Sequence, residues 1–111
     1  MFYNIFILSD SDERRTDMQF IIKALDGEGK LDKRMEVRPR HLEGMKTLGD
    51  HVILAGGLLD EEGKMKGSML VVDFPDREAV DEYLKNEPYI LEGVWEKVEV
   101  ERFNLVLLNP R

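Results

Sequence analysis

Apolar and polar positions along the chain form short blocks, and the spacing within each block predicts a secondary structure element. The first block, Phe2–Leu8, is apolar except for Asn4 and rich in aromatic residues and isoleucine, which is typical of a buried central strand. The next apolar positions recur at i, i+3, i+4 and i+7, the spacing of one face of a helix that two glycines would end. These positions are Met18, Ile21, Ile22 and Leu25, followed by Gly27 and Gly29.

A second helix is predicted to begin near Pro39. Proline is favoured in the first turn of a helix, where its missing N–H is not needed. His41, Met45 and Leu48 then share one face, and Gly49 ends the helix. The polar, glycine-containing residues 26–33 before this helix are predicted to form a loop.

The second half of the chain predicts three strands and one helix. The first strand is broken by a Gly-Gly pair, the helix begins at an aspartate cap and ends at a proline, and the last strand alternates between valine and charged residues. A linking turn is predicted for residues 89–93. The elements are strand Val52–Ala55 with the break at Gly56 and Gly57, strand Ser68–Phe74, helix Asp76–Asn86 before Pro88, and strand Trp95–Phe103.

The order strand, helix, strand, strand, helix, strand predicts an α+β fold of the ferredoxin-like, split βαβ type. We expect a single domain over residues 1–111, because that length suits one core. Helices would cover one face of the sheet, and the chain is too short to cover the other face, so a homodimer packed sheet to sheet is expected. The apolar tail, residues 104–111, is expected to pair with a strand edge or with a partner subunit.

Composition excludes several classes of partner. The net charge is -7, which argues against binding nucleic acid or anionic membranes, since both need clustered lysine and arginine. There is no cysteine, so thiol chemistry and disulfides are excluded. No apolar run approaches the roughly 18 residues of a membrane helix, and the first residues lack the features of a signal peptide. We therefore expect a cytoplasmic protein.

His41 is the main candidate for chemistry. It lies on an otherwise apolar helix face, and imidazole can accept or donate a proton near neutral pH. General acid-base catalysis would need a carboxylate to orient the ring. Asp10, at the end of the first strand, and Glu87, before a proline turn, are the leading choices, with Asp50 and Asp73 as alternatives. In the opposing interpretation His41 is a structural residue at the edge of the core.

Several other residues could contact a small ligand. Ser68 follows a glycine at a strand start, Tyr89 offers a hydroxyl, and Arg38 could bind a carboxylate or a phenolate. The Gly56-Gly57 pair lacks the lysine and the following helix of a phosphate loop. His41 and His51 lie on different predicted elements, so neither a metal nor another cofactor is expected.

Five segments in the same order resemble the YCII-related (YciI-like) family. That resemblance implies a dimeric ferredoxin-like α+β barrel with a pocket in which a histidine paired with a carboxylate has been proposed to be catalytic. Some relatives are linked to dehydrochlorination of hydroxylated aromatic rings. The segments are RPRHL (38–42), LGD (48–50), VILAGGLLDEEG (52–63), GSMLVVDF (67–74) and NEPYILEGVWEKVEV (86–100).

The chain departs from the family pattern at three places. Gly57 stands where a proline is usual, and Glu87 stands where an aspartate is usual. Residues 11–33 are predicted to be an inserted helix and loop between the first strand and the histidine helix. The leading hypothesis is a cofactorless lyase-type enzyme, with His41 oriented by Asp10 or Glu87, and with Arg38, Ser68, Tyr89, Gly56 and Gly57 around the substrate. The alternative is a non-catalytic dimeric ligand-binding or interaction module.

Overall fold

The structure is a computed structural model, and it describes residues 6–7 and 17–110. Six strands and three helices are assigned within these residues, and a short 3-10 turn at Gly49–His51 follows the first helix. In chain order the elements are β1 (Phe6–Ile7), β2 (Met18–Asp26), α1 (Leu31–Leu48), β3 (Val52–Leu59), β4 (Met65–Phe74), α2 (Arg77–Lys85), α3 (Pro88–Leu91), β5 (Trp95–Phe103) and β6 (Leu107–Leu108).

Four of the strands form an antiparallel sheet in the order β3-β4-β2-β5. The connections through α1 and α2 each join two strands that are separated by one other strand, which is the split βαβ topology predicted from the sequence. Alternate residues of β2 and β4 face the helices and form the core. The core includes Phe20, Ile22, Ala24, Leu70, Val72 and Phe74 from the sheet, with Val37, Val80 and Tyr89 from the helices.

The helix predicted over Met18–Leu25 is wrong, because these residues form the central strand β2. The sequence MQFIIKAL satisfies the helical spacing and also a period of two. Phe20, Ile22 and Ala24 are buried on one face, and aromatic and β-branched side chains favour a strand. Since β2 hydrogen-bonds to β4 and β5, pairing on both edges decides between the two patterns.

Two further predictions change with β2. The first strand was expected to be central, but β1 pairs with β6 in a separate two-stranded sheet, with Phe6 opposite Leu108. Residues 11–33 were expected to be an insertion before the histidine helix. Instead, β2 is the first strand of the four-stranded sheet, and α1 follows it after a short turn.

Helix α1 begins at Leu31, eight residues before the predicted start, and Pro39 lies inside it. Residues 26–33 were predicted to be a loop because they are polar and contain glycines, so the first residues of the helix were missed. Arg34, Val37 and His41 are the buried residues of this helix, and an arginine does not register as an apolar position. The longer helix places Arg34 two turns before His41 on the same face.

Strand β3 runs without interruption from Val52 to Leu59, so the predicted break at Gly56 and Gly57 is wrong. Both glycines pair with β4, opposite Met69 and Ser68. Backbone hydrogen bonds to β4 therefore hold the segment extended although glycine weakens a strand. The linking turn predicted for residues 89–93 is instead the short helix α3 followed by a glycine turn.

The structure confirms the predictions for α2 and β5. The Asp76 side chain caps α2 by accepting from the Ala79 N–H at 2.9 Å. In β5, Val98 and Val100 pack against the core, while the intervening charged residues are exposed. None of the helices in the described part of the chain is long and apolar enough to span a membrane.

The described part of the tail after β5 has one buried residue, Leu105. Its N–H donates to the side-chain oxygen of Gln19 at 2.6 Å. The edge pairing expected for this tail is made by β6 with β1 of the same chain. However, Val106, Leu107 and Leu108 remain exposed, so the tail still presents apolar surface.

Gly67 should be intolerant of any side chain. A Cβ at this position would collide with the backbone carbonyl oxygen of Ala24 on β2, which cannot move without breaking the sheet. Gly67→Ala is expected to lower the free energy of unfolding by about 1–3 kcal/mol, the usual cost of overpacking. Gly44→Ala is the control, because its Cβ on α1 would enter open space and alanine favours a helix, so no loss of unfolding free energy is expected. Urea denaturation measures both, and equal effects would contradict the close approach.

Candidate active site

His41 and Glu87 form a buried pair between α1 and the start of α3. The Nδ1 atom of His41 lies 2.7 Å from Oε1 of Glu87, and their side chains are 9% and 1% exposed. Glu87 reaches this position because it is the N-cap of α3, where its side chain accepts from the Tyr89 N–H at 3.2 Å. A capping residue is thus also the partner of the histidine.

Three groups donate to the Glu87 carboxylate, and its contact with His41 determines which ring nitrogen carries the proton. The Tyr83 hydroxyl donates to Oε2 at 2.6 Å, in addition to the contacts from His41 and Tyr89. A carboxylate can accept but not donate, so the proton of a neutral His41 is on Nδ1, and Nε2 carries the lone pair. Burial, and next the Glu87 charge, raise the pKa of Tyr83 above its ordinary range, so Tyr83 remains a donor.

Aromatic rings hold the imidazole in place. The His41 ring stacks on the Tyr89 ring with centroids 4.2 Å apart and an angle of 19° between the planes. Trp95 meets the same imidazole edge-on at 5.9 Å. Tyr89 and Trp95 are both buried, so the orientation of the histidine is set by packing as well as by its hydrogen bond.

A second buried ion pair joins Arg34 of α1 to Asp26 of β2. Nη1 of Arg34 donates to both carboxylate oxygens of Asp26, at 2.9 and 3.0 Å, and Nη2 donates to Ser68 Oγ at 2.7 Å. The guanidinium also lies 4.8 Å from the centroid of the Tyr89 ring. Burial raises the pKa of Asp26, and the charge and hydrogen bond of Arg34 oppose that shift.

A cavity of about 270 Å³ opens between α1 and the edge of the sheet. It brings together His41, Ser68 and Arg38, with Gly56 and Gly57 on the strand side. Burial raises the pKa of Tyr89, and the positive charges of Arg34 and Arg38 act against that shift. The full lining is Arg34, Arg38, His41, Leu42, Met45, Val52, Ala55, Gly56, Gly57, Met65, Ser68, Leu70 and Tyr89.

Most of the residues singled out in the sequence meet around this cavity. His41, Arg38, Ser68, Tyr89, Gly56 and Gly57 line it, and Glu87 contacts His41 from behind. Asp10 lies outside the described residues. Asp50 is exposed in the 3-10 turn, and at Asp73 the backbone oxygen contacts His51, so neither is the partner seen at His41.

Sequence reasoning missed Arg34, Asp26 and the hydrogen bond from Tyr83. Arg34 and Asp26 fell in or beside a segment that was interpreted as a loop, and Tyr83 lies in the predicted helix Asp76–Asn86, to which no role in the site was assigned. The available signal was an arginine at i−7 from His41, on the face that the histidine shares with Met45. Among the described residues, no group of three or more histidine or acidic side chains is placed to hold a metal ion.

Comparison with known proteins agrees with this architecture. A model of the YCII-related domain family matches residues 18–104. Protein YciI of Escherichia coli is 31% identical over 97 residues, covering 80% of this chain and 99% of that protein.

Solved structures give the same fold. A 5-chloro-2-hydroxyhydroquinone dehydrochlorinase, TftG of Burkholderia phenoliruptrix, solved with 2,5-dihydroxybenzoquinone, superposes with a TM-score of 0.74 at 25% identity, over 78% of this chain and 94% of that one. A nipsnap family protein from Agrobacterium tumefaciens, with a TM-score of 0.52 at 12% identity over 85% of this chain and 92% of that one, shares the fold alone. The match over residues 18–104 and the identity to YciI show that this chain belongs to the YCII-related family.

Proposed function

We propose that this protein is a lyase-type enzyme that removes a proton from a small oxygenated ring and eliminates a leaving group. The observation that carries the proposal is the His41–Glu87 pair, 2.7 Å apart, at the wall of a cavity of about 270 Å³. Pairing Nδ1 with a carboxylate leaves Nε2 as the basic atom available to a ligand. This is the arrangement that general base catalysis requires.

The proposed chemistry is an elimination. The ring first passes to its keto tautomer, in which the carbon that carries the leaving group is protonated and tetrahedral. Nε2 of His41 then takes the proton of a ring hydroxyl conjugated to that carbon, the electron pair left behind forms a new C=O π bond, the ring π electrons shift toward that carbon, and the leaving group departs as an anion. The Glu87 carboxylate stabilises the imidazolium that forms, and the proton then passes to water. No electrons are gained or lost in this sequence, so it needs neither an oxidant nor a reductant.

Two observations support the substrate class: the lining of the cavity and the similarity to the dehydrochlorinase TftG. The cavity is bordered by the flat ring of Tyr89 and by apolar side chains such as Met45 and Leu70, which suit a small planar ring. The dehydrochlorinase that shares this fold at 25% identity acts on a chlorinated hydroquinone. We therefore propose a chlorinated or otherwise substituted hydroxylated ring as the substrate.

Replacing His41 tests the proposal most directly. His41→Gln keeps the size and polarity of the side chain but removes the base, so chloride release from 5-chloro-2-hydroxyhydroquinone is expected to fall about 10²- to 10⁴-fold. The measurement is kcat by chloride detection, with circular dichroism to check the fold. Arg40→Gln, one residue earlier on the same helix and 60% exposed, is the matched control and should keep full activity.

Glu87→Gln separates orientation from packing. A glutamine has the same shape and still accepts from Tyr83, but its amide can donate to Nδ1 of His41, which would place the ring proton on Nε2 and block the base. Activity is expected to fall about as far as in His41→Gln, with the folded state retained. A glutamine variant with normal kcat, or a His41→Gln variant that unfolds, would favour the alternative in which the histidine is structural.

The Tyr83 hydroxyl donates to the Glu87 oxygen that does not contact His41. The ionisation of Tyr83 should therefore change the free energy of unfolding as pH rises. Tyr83→Phe removes a partly buried hydrogen bond to a carboxylate and is expected to cost about 1.5–3 kcal/mol of unfolding free energy at neutral pH. Because the pKa of Tyr83 is raised in the folded state, the fold binds this proton more tightly than the unfolded chain does.

The wild-type protein should therefore lose stability as pH rises above about 10, the ordinary tyrosine value. In Tyr83→Phe this contribution is absent, so denaturation curves of the two proteins should converge as pH rises. Arg77→Ala, which removes an exposed ion pair of the same helix, is the control and should cost less than about 1 kcal/mol. Curves that stay parallel across this pH range would contradict the buried tyrosine contact.

The face of the sheet opposite the helices, where several apolar side chains remain partly exposed, supports a homodimer as the working form. Residues that alternate with the core positions, such as Ile21 and Met69, point away from the helices, and Leu54 beside them is 39% exposed. Among the described residues of one chain, no helix lies on this face. Apolar surface that stays exposed to water favours association with a second copy.

Light scattering should accordingly give twice the 12.9 kDa mass of one chain. Leu54→Glu should shift the protein toward a monomer, because a charge would be buried without a partner. Leu91→Glu introduces the same charge on α3, where the side chain is 65% exposed, and should leave the mass unchanged. A wild-type monomer at micromolar concentration would refute the dimer.

A further inference from the structure

Two arginines line a cavity in a chain whose net charge is -7. Their surroundings differ. The charge of Arg34 is balanced by Asp26, and both side chains are about 95% buried. Arg38 is half-buried, and it forms no ion pair with any carboxylate of residues 17–110. A positive charge that faces a cavity without a described partner is suited to an anion.

Ser68 gives the same cavity a directed donor. Its oxygen accepts from Nη2 of Arg34 at 2.7 Å, so the hydroxyl proton must point away from Arg34. Ser68 lines the cavity, and no acceptor for this proton is found among the described residues. A hydroxyl that accepts from a guanidinium is polarised and becomes a stronger donor. The hydroxyl is therefore prepared to donate to a ligand.

Asp26 fixes Arg34, and Arg34 in turn positions the Ser68 hydroxyl. Both oxygens of Asp26 accept from Nη1 of Arg34, which fixes the plane of the guanidinium and hence the position of Nη2 beneath Ser68. Nε of Arg34 is buried without a hydrogen-bond partner among the described residues. Buried donors without a partner are uncommon and are expected where a ligand or a water molecule completes the site.

We propose that Ser68 and Arg38 form a subsite for a negatively charged oxygen on a small planar ring, with Arg34 and Asp26 as positioning residues behind Ser68. The ligand is then bound as a phenolate or an enolate and not as the neutral alcohol. This rests on the proposed function only in placing the ligand in the cavity beside His41. It adds the ionisation state of the ligand and a role for two residues that do not take part in proton removal.

An ionisable chromophore tests the subsite without turnover. The absorption of para-nitrophenol reports whether the phenol is ionised, so its pKa can be read both free and bound. We expect the wild-type protein to lower the pKa of the bound probe by about one unit, which corresponds to a roughly tenfold preference for the phenolate. Equal affinity for both forms, or no binding of the phenolate at all, would overturn the proposal.

Variants locate the effect. Ser68→Ala and Arg38→Met should each reduce the preference for the phenolate by about tenfold or abolish it. Arg34→Met could fail to fold, because it leaves the buried Asp26 unpaired. Arg34→Lys keeps that ion pair but cannot reach both Asp26 and Ser68, so it should fold and still weaken phenolate binding. Arg40→Met removes an exposed charge from the same helix and should change nothing.

His41→Gln distinguishes this inference from the proposed elimination. The variant should bind para-nitrophenolate as the wild-type protein does, because the subsite does not include the base. Wild-type protein that prefers the phenolate but releases no chloride would contradict the elimination alone. Protein that releases chloride with normal kcat yet binds phenol and phenolate equally would contradict the subsite alone.

Discussion

Burial of ionisable side chains beneath α1 is the constraint on which the rest of the site depends. A charge removed from water must meet an opposite charge or several hydrogen bonds, and both buried groups here do so. Arg34 meets Asp26 from the central strand, and His41 meets Glu87 from the start of α3. Because each pair joins α1 to another element, the position of the helix on the sheet and the shape of the cavity are set together. Replacing one partner would therefore disturb packing as well as chemistry.

The two pairs use different parts of the fold. Asp26 is the last residue of β2, where it pairs with Trp95 of β5 just past a shift in register, so its carboxylate is held by strand pairing. Glu87 is held by local geometry, since the cap of a short helix fixes one oxygen and Tyr83 fixes the other. One group is thus anchored by long-range strand pairing and the other by capping. Both give a rigid orientation, which is what a site with few moving parts requires.

The topology and six of the thirteen residues that line the cavity could be predicted from the sequence, but the central strand could not. Residues 18–25 fit a helix and a strand equally well, and hydrogen bonds to two neighbouring strands, which are long-range, made the choice. The start of α1 was missed because Arg34 occupies a buried position that apolar spacing cannot reveal. Glu87 was one of several carboxylates weighed as the partner of His41. Its selection depends on the fold of α3 against α1, which a spacing of 46 residues does not encode.

The seven-residue interval between Arg34 and His41 has an evolutionary consequence. Both side chains contact the ring of Tyr89, and two turns of helix place them on the same face. One inserted or deleted residue between them would rotate one group by about 100° around the helix axis, away from the cavity. Helix geometry therefore fixes the length of this segment but not the side chains between the two groups. Relatives that retain both groups should therefore vary in composition here without gaps in their alignment.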